Sequence, residues 1–172
     1  SFVENIKING VEYNLKDEVF DFESVGKGKC EYNFSLEKDN FQITKHYKMT
    51  SGNMCLTVSI YNTGEKDIIG EYDSTVYFTL PGAYAFSYDQ KRGPLMGESL
   101  TDIRNVRFSD SLRSVLLSFS SNSDFSVKEE NRFQSEVTTL GSEQFYLYTK
   151  ANLTFNLDIK KDSVYTFNII TR

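Results

Sequence analysis

A chain of 172 residues can hold one domain with a sizeable core, and its 14 Phe and 11 Tyr supply enough apolar area to exclude disorder despite a mean hydropathy of -0.43. A net charge of -5, with no basic cluster beyond pairs such as Lys91-Arg92 and Lys160-Lys161, argues against nucleic acid and membrane surfaces as partners, since both select a concentrated positive field. No apolar run approaches the roughly 20 residues of a membrane span.

The opening, SFVENIKI, lacks the basic and apolar regions of a secretion signal, so the expected compartment is cytoplasmic, with export left open. It starts inside what reads as a strand, which suggests a fragment of a longer multidomain protein. Lys7-Ile8-Asn9-Gly10-Val11-Glu12-Tyr13 places Asn-Gly, the pair that tolerates a type I′ turn, between β-prone stretches and predicts a tight hairpin. Strands are then expected at Val19 to Phe22, Cys30 to Leu36 and Phe41 to Met49. In the next, Leu56, Val58 and Ile60 alternate with Thr57, Ser59 and Tyr61, a period of two that marks a strand with unlike faces. A turn follows at Asn62 to Lys66, then a long β-prone segment from Ile68 to Leu80.

From Pro81 to Gly97 the chain reads as a loop rich in Gly and Pro, interleaved with Tyr84, Phe86 and Tyr88. Later strands are expected at Val106 to Phe108, Val115 to Phe119, Gln144 to Tyr148, Leu153 to Leu157 and Val164 to Ile170, with at most one helical turn at Asp110 to Ser114. The sum is an all-β fold, a single large antiparallel β-sandwich over residues 1–172. Cys30 and Cys55 are too few for a disulfide framework and read as reduced, buried small hydrophobes, a bridge between them staying open if the protein is exported.

The chemistry-bearing residues are sparse. His46 is the single histidine and lies on the polar register of its strand with Gln42, Thr44 and Lys48, so a solvated or cleft-lining role outweighs a catalytic base. No G-x-S-x-G elbow exists to build a triad, and one histidine with two cysteines does not furnish a typical zinc site. Paired carboxylates are the remaining route to hydrolysis: Glu71 with Asp73 on one strand face, Asp102 with Asp110, Glu136 and Glu143. With 24 acidic residues, such pairs arise by chance at a surface. No calcium loop or phosphate-cradling glycine loop is present, and neither cofactor nor metal is expected. The best binding candidate is the segment Gly82 to Gln90 with Arg92, whose Tyr84, Phe86 and Tyr88 would stack on sugar rings while polar tips bind hydroxyls. The competing reading, that these rings are one face of another strand, is favoured.

Phe41 to Tyr47, followed by Leu56 to Gly64, resembles the supersandwich of galactose-mutarotase-like carbohydrate enzymes. Asp110-Ser111-Leu112, then Val115 to Phe119, then Thr138 to Tyr148 follow the order seen in the C-terminal β domain of family 57 glycoside hydrolases, the α-amylase and 4-α-glucanotransferase group. In that family the catalytic acids belong to a preceding domain, and the mutarotases use two histidines where this chain has only His46.

The resemblance implies a non-catalytic accessory domain of an α-glucan-processing enzyme, with the upstream catalytic domain as its partner and an exposed apolar patch where that partner sits. Two other readings stay open. One is an independent carbohydrate-binding module with Tyr84, Phe86 and Tyr88 as its platform; the other is a free-standing sugar-active enzyme using His46 with Glu71 or Glu143.

Overall fold

A computed structural model describes residues 2–25, 30–80, 84–89, 91–92, 99–110, 114–139 and 141–171. Thirteen strands account for most of them: β1 (Phe2–Ile8), β2 (Val11–Asn14), β3 (Asp21–Ser24), β4 (Cys30–Lys38), β5 (Phe41–Thr50), β6 (Asn53–Asn62), β7 (Ile68–Phe78), β8 (Tyr84–Tyr88), β9 (Lys91–Arg92), β10 (Ser99–Asp110), β11 (Val115–Thr138), β12 (Gly141–Ile159) and β13 (Val164–Thr171). Among the described residues there is no helix, and so none long and apolar enough to cross a membrane.

All pairings are antiparallel, and the strands run β2-β1-β7-β12-β11-β13-β6-β5-β4-β3, with β10, β8 and β9 branching from β11. The predicted Asn-Gly hairpin joins β1 to β2: Asn9 and Gly10 both take positive φ, 50° and 87°, as a type I′ turn demands.

One continuous sheet becomes a two-layer sandwich because β11 changes partners along its length. Its first part, Leu117 to Ser121, pairs with β13, whereas Phe125 to Thr138 pairs with β12. The switch swings β12 and β13 face to face, so that Phe155 and Phe167 stack with centroids 4.2 Å apart. Tyr72 of β7 closes on the Phe167 ring at 5.1 Å, and Phe125 packs on Phe155 at 5.0 Å.

The interior is set by alternation. On β12 the buried positions are Thr149, Ala151, Leu153, Phe155, Leu157 and Ile159; on β6 they are Leu56, Val58, Ile60 and Asn62. Asn62 is a polar member of that row, and its side-chain amide donates to the carbonyls of Ile159 and Lys66 at 2.9 Å each while accepting from Gly64 N–H at 3.0 Å. That bonding satisfies the tight turn expected at Asn62 to Lys66 and ties it to the end of β12.

Some elements differ from their sequence reading. Val19 and Phe20 precede β3 rather than belonging to it, and the Gly/Pro-rich stretch contains β8 and β9. The single helical turn expected at Asp110 to Ser114 falls partly on residues outside the described ones; Asp110 itself ends β10. Both cysteines are free thiols, and Cys30 is exposed instead of buried.

Candidate functional site

The inner register of β5 reads Phe41, Ile43, Lys45, Tyr47, so a lysine stands where an apolar residue is due. A buried ammonium needs a partner. It finds one across the sandwich: Lys45 Nζ pairs with Glu4 Oε2 of β1, and both side chains are only 10% exposed. Glu4 Oε1 accepts a hydrogen bond from Tyr72 Oη at 2.5 Å. The Phe20 ring, carried by the link between β2 and β3, sits 4.7 Å from the Lys45 ammonium as a cation–π contact.

Above this polar floor opens a cleft of about 460 Å³ lined by Phe20, Phe22, Tyr32, Phe34, Lys45, Tyr47 and Met49. Its walls come from one register on three successive strands, because Phe34 is the cross-strand partner of both Phe22 and Lys45, and Tyr32 is that of Tyr47. The rings brace one another: Phe22 lies 5.9 Å from Tyr32 and 5.2 Å from Phe34, and Phe34 meets Tyr47 edge-on at 5.5 Å. Phe22 keeps 60% exposure and Met49 43%, an apolar surface left open to solvent.

Burial, reinforced by the Glu4 charge, raises the Tyr47 hydroxyl pKa above its ordinary value. Tyr72 is pushed up further by burial, then by the Glu4 charge and by donating its proton to that carboxylate. The unfolded chain ionises this tyrosine near pH 10.0 while the native protein retains the proton. Stability from Tyr72 is therefore complete below about pH 10 and declines as pH rises toward the folded value, because the unfolded state binds fewer protons there. Urea melts at pH 8 to 11 are expected to show this decline, with a shallower slope for Tyr72→Phe; equal slopes would contradict it.

Chemically, the floor is neutral overall, since Glu4 balances Lys45, and the walls are aromatic. Such a surface suits an uncharged ligand with an apolar face and hydroxyls in reach of the ammonium.

The residues singled out from the sequence lie elsewhere and do not converge. His46 is half-buried on the opposite face of β5 from the cleft, its Nδ1 2.6 Å from Asn33 Oδ1. Glu71 is exposed on β7, cross-strand from Lys7 and Asn156, while Asp73 accepts a hydrogen bond from Thr154 Oγ1 at 2.6 Å. Glu143 is exposed and lies directly across from Glu136. Asp102 is exposed and Asp110 buried, at opposite ends of β10.

Phe86 is buried, 5.0 Å from Phe108, and the half-buried Tyr88 packs beside it at 6.1 Å, as members of a strand face. Tyr84 and Arg92 belong to β8 and β9 by backbone, and their side chains lie outside the described ones. Among the described residues no three His, Cys, Asp or Glu side chains gather as a metal site. The aromatic cleft itself was missed, although Lys45 and Glu4 each interrupt an apolar register.

No protein-family model matches the chain, and no curated protein matches it. Solved structures do. A 4-α-glucanotransferase from Thermococcus litoralis superposes with a TM-score of 0.59 at 7% identity, over 99% of this chain and 27% of that one. A galactose mutarotase related enzyme from Lactobacillus acidophilus gives 0.57 at 10% identity, over 98% of this chain and 78% of that one. A galactose mutarotase-like protein from Lactobacillus casei gives 0.57 at 8%, over 98% and 80%. At such identities the likeness speaks to architecture: the chain has the galactose mutarotase-like sandwich fold.

Proposed function

We propose that this chain is an accessory sandwich of an α-glucan-processing protein, contributing a sugar-contacting cleft and packing on a catalytic domain of the same polypeptide. The observation that carries the reading is the aromatic cleft over the Lys45–Glu4–Tyr72 floor. Aromatic faces stack on the C–H faces of pyranose rings, and an ammonium already neutralised by a carboxylate keeps N–H groups for hydroxyl oxygens without selecting an anion. The α-glucan assignment is supported by the shared architecture with a protein named as a 4-α-glucanotransferase, of which this chain spans about a quarter.

Isothermal titration with maltooligosaccharides is the test. Saturable binding is expected, weakened at least about tenfold by Phe22→Ala or Tyr32→Ala, a loss of the size that removing one stacking ring brings. Phe145→Ala, far along the chain on an exposed strand, is expected to leave it unchanged. Absence of binding to any neutral oligosaccharide by the folded chain would defeat the reading.

A further inference from the structure

One face of β11 and β12 carries positive charge that its own carboxylate does not cancel. Arg132 stands directly opposite Tyr148, and Glu130 opposite Lys150. Positions two apart on a strand share a face, so these four side chains mark the corners of a square. Arg132 and Lys150 lie on one diagonal, roughly 7–8 Å apart, within reach of long side chains. The four residues, with Asn131, line a pocket of about 210 Å³. Tyr77 of β7 braces its wall, the ring edge-on to Tyr148 at 5.7 Å. A bulge adjoins the pocket: the register shifts between Arg132 and Phe133, and Leu147 has no directly opposed residue on β11. The Leu147 carbonyl accepts from Thr79 Oγ1 at 3.3 Å, which ties the bulge to the end of β7. Bulges re-aim side chains and are common beside binding sites.

Glu130 is already committed. Lys128 Nζ lies 3.0 Å from Glu130 Oε1. That hydrogen bond, then the charges of Lys128 and Lys150, hold the Glu130 carboxyl below its ordinary range, so it stays ionised beside Lys128. Neither the exposed Arg132 nor the half-buried Lys150 forms an ion pair among the described residues. Three cations against one carboxylate leave two positive charges in excess. The whole chain carries -5, but at physiological ionic strength charges beyond roughly 8 Å are largely screened, and the local excess decides what this face attracts.

We infer that this pocket is an oxyanion site that takes a phosphate group, as the free ion or as a phosphate monoester. Phosphate oxygens point to the corners of a tetrahedron, so they meet the Arg132 fork, the Lys150 ammonium and the Tyr148 hydroxyl from different sides; a carboxylate is satisfied by the fork alone. A charge of about -1.5 to -2 at neutral pH matches the two uncancelled cations. The pocket is smaller than the roughly 300 Å³ at which clefts take a whole drug-sized ligand, which suits one ionic group. Two cations are too few for the extended field that nucleic acid selects. Other strands build the aromatic cleft, and the inference is independent of the sugar reading.

Amide NMR of the isotope-labelled chain, titrated with sodium phosphate against sodium chloride at equal ionic strength, reads the site through residues 130–132 and 148–150. Saturable shifts are expected, with a dissociation constant on the order of 1 mM, the strength of a few exposed charge-assisted hydrogen bonds. Arg132→Gln and Lys150→Gln should each weaken binding about tenfold. Arg132→Lys, which keeps the charge and loses the fork, should weaken it about threefold. Lys161→Gln, beyond the far end of β12, should leave it unchanged. Glucose 6-phosphate separates the two sources: affinity no better than that of inorganic phosphate identifies the free ion as ligand, and several-fold tighter binding identifies the ester. Shifts that chloride reproduces, that saturate with neither probe, or that survive both glutamine variants would overturn the inference.

Discussion

Lys45→Met, with Glu4 left in place, is expected to cost about 3–5 kcal/mol of stability, the range seen when one member of a buried ion pair is removed. The pair joins β5 to β1 across the sandwich, and each side chain is only 10% exposed, so the stranded carboxylate keeps Tyr72 Oη as its described side-chain partner. Loss of the attraction is the smaller part of the effect. The larger part is the desolvation of a charge that nothing now balances. The double variant Glu4→Gln/Lys45→Met removes both charges while its amide oxygen still accepts from Tyr72, and it should recover to within about 1–2 kcal/mol of the parent. Urea unfolding of the two single variants and the double variant gives the coupling directly. A Lys45→Met midpoint equal to the parent's would show that water, not Glu4, balances the ammonium.

The double variant also separates scaffold from recognition. If it folds normally yet binds maltooligosaccharides weakly, the ammonium contributes a hydrogen bond to the ligand; if binding persists, the rings alone carry it.

What could be read in advance, and what could not, follows from how far apart in sequence the cooperating residues lie. The alternation of Leu56, Val58 and Ile60, and the Asn9-Gly10 turn, are local signals, and the strands β6, β1 and β2 formed where those signals stood. The sandwich followed too, because period two without a helical stretch leaves few other ways to bury the apolar face.

The outer stretch of β11, from Arg132 to Val137, was invisible for the converse reason. Both registers of Arg132 to Val137 are exposed, since no second layer covers either face there among the described residues, and burial is what writes alternation into a sequence. The cleft failed for a third reason. Lys45 stands between Ile43 and Tyr47, and Glu4 two residues before Ile6, each a charge in an apolar row; the mark of a buried pair was present, but 41 residues separate them and only topology brings them together. His46, the single histidine, sits on the register of β5 that faces away from the cleft.

Gly70→Ala is the change expected to damage the same site from a distance. In β7, Gly70 stands opposite Ile8 of β1, and the end of β1 coils so closely over it that an added Cβ would lie 1.8 Å from the Lys7 carbonyl oxygen and 2.9 Å from its carbon. Those atoms are main chain, so no rotamer change relieves the overlap. β1 must move away from β7, at a cost of about 3 kcal/mol or more, the upper range for an overpacked site.

Gly10→Ala provides the contrast: it meets open space, and its penalty comes from a φ of +87°, about 1 kcal/mol. Displacing β1 also carries Glu4 away from Lys45 and Tyr72, so Gly70→Ala should weaken the proposed sugar binding in the fraction that remains folded, while Gly10→Ala should not. Hydrogen exchange is expected to show faster opening of the β1 amides than of those in β12 and β13. A Gly70→Ala protein with an unchanged urea midpoint would mean that β1 does not approach β7 as closely as the 1.8 Å overlap requires.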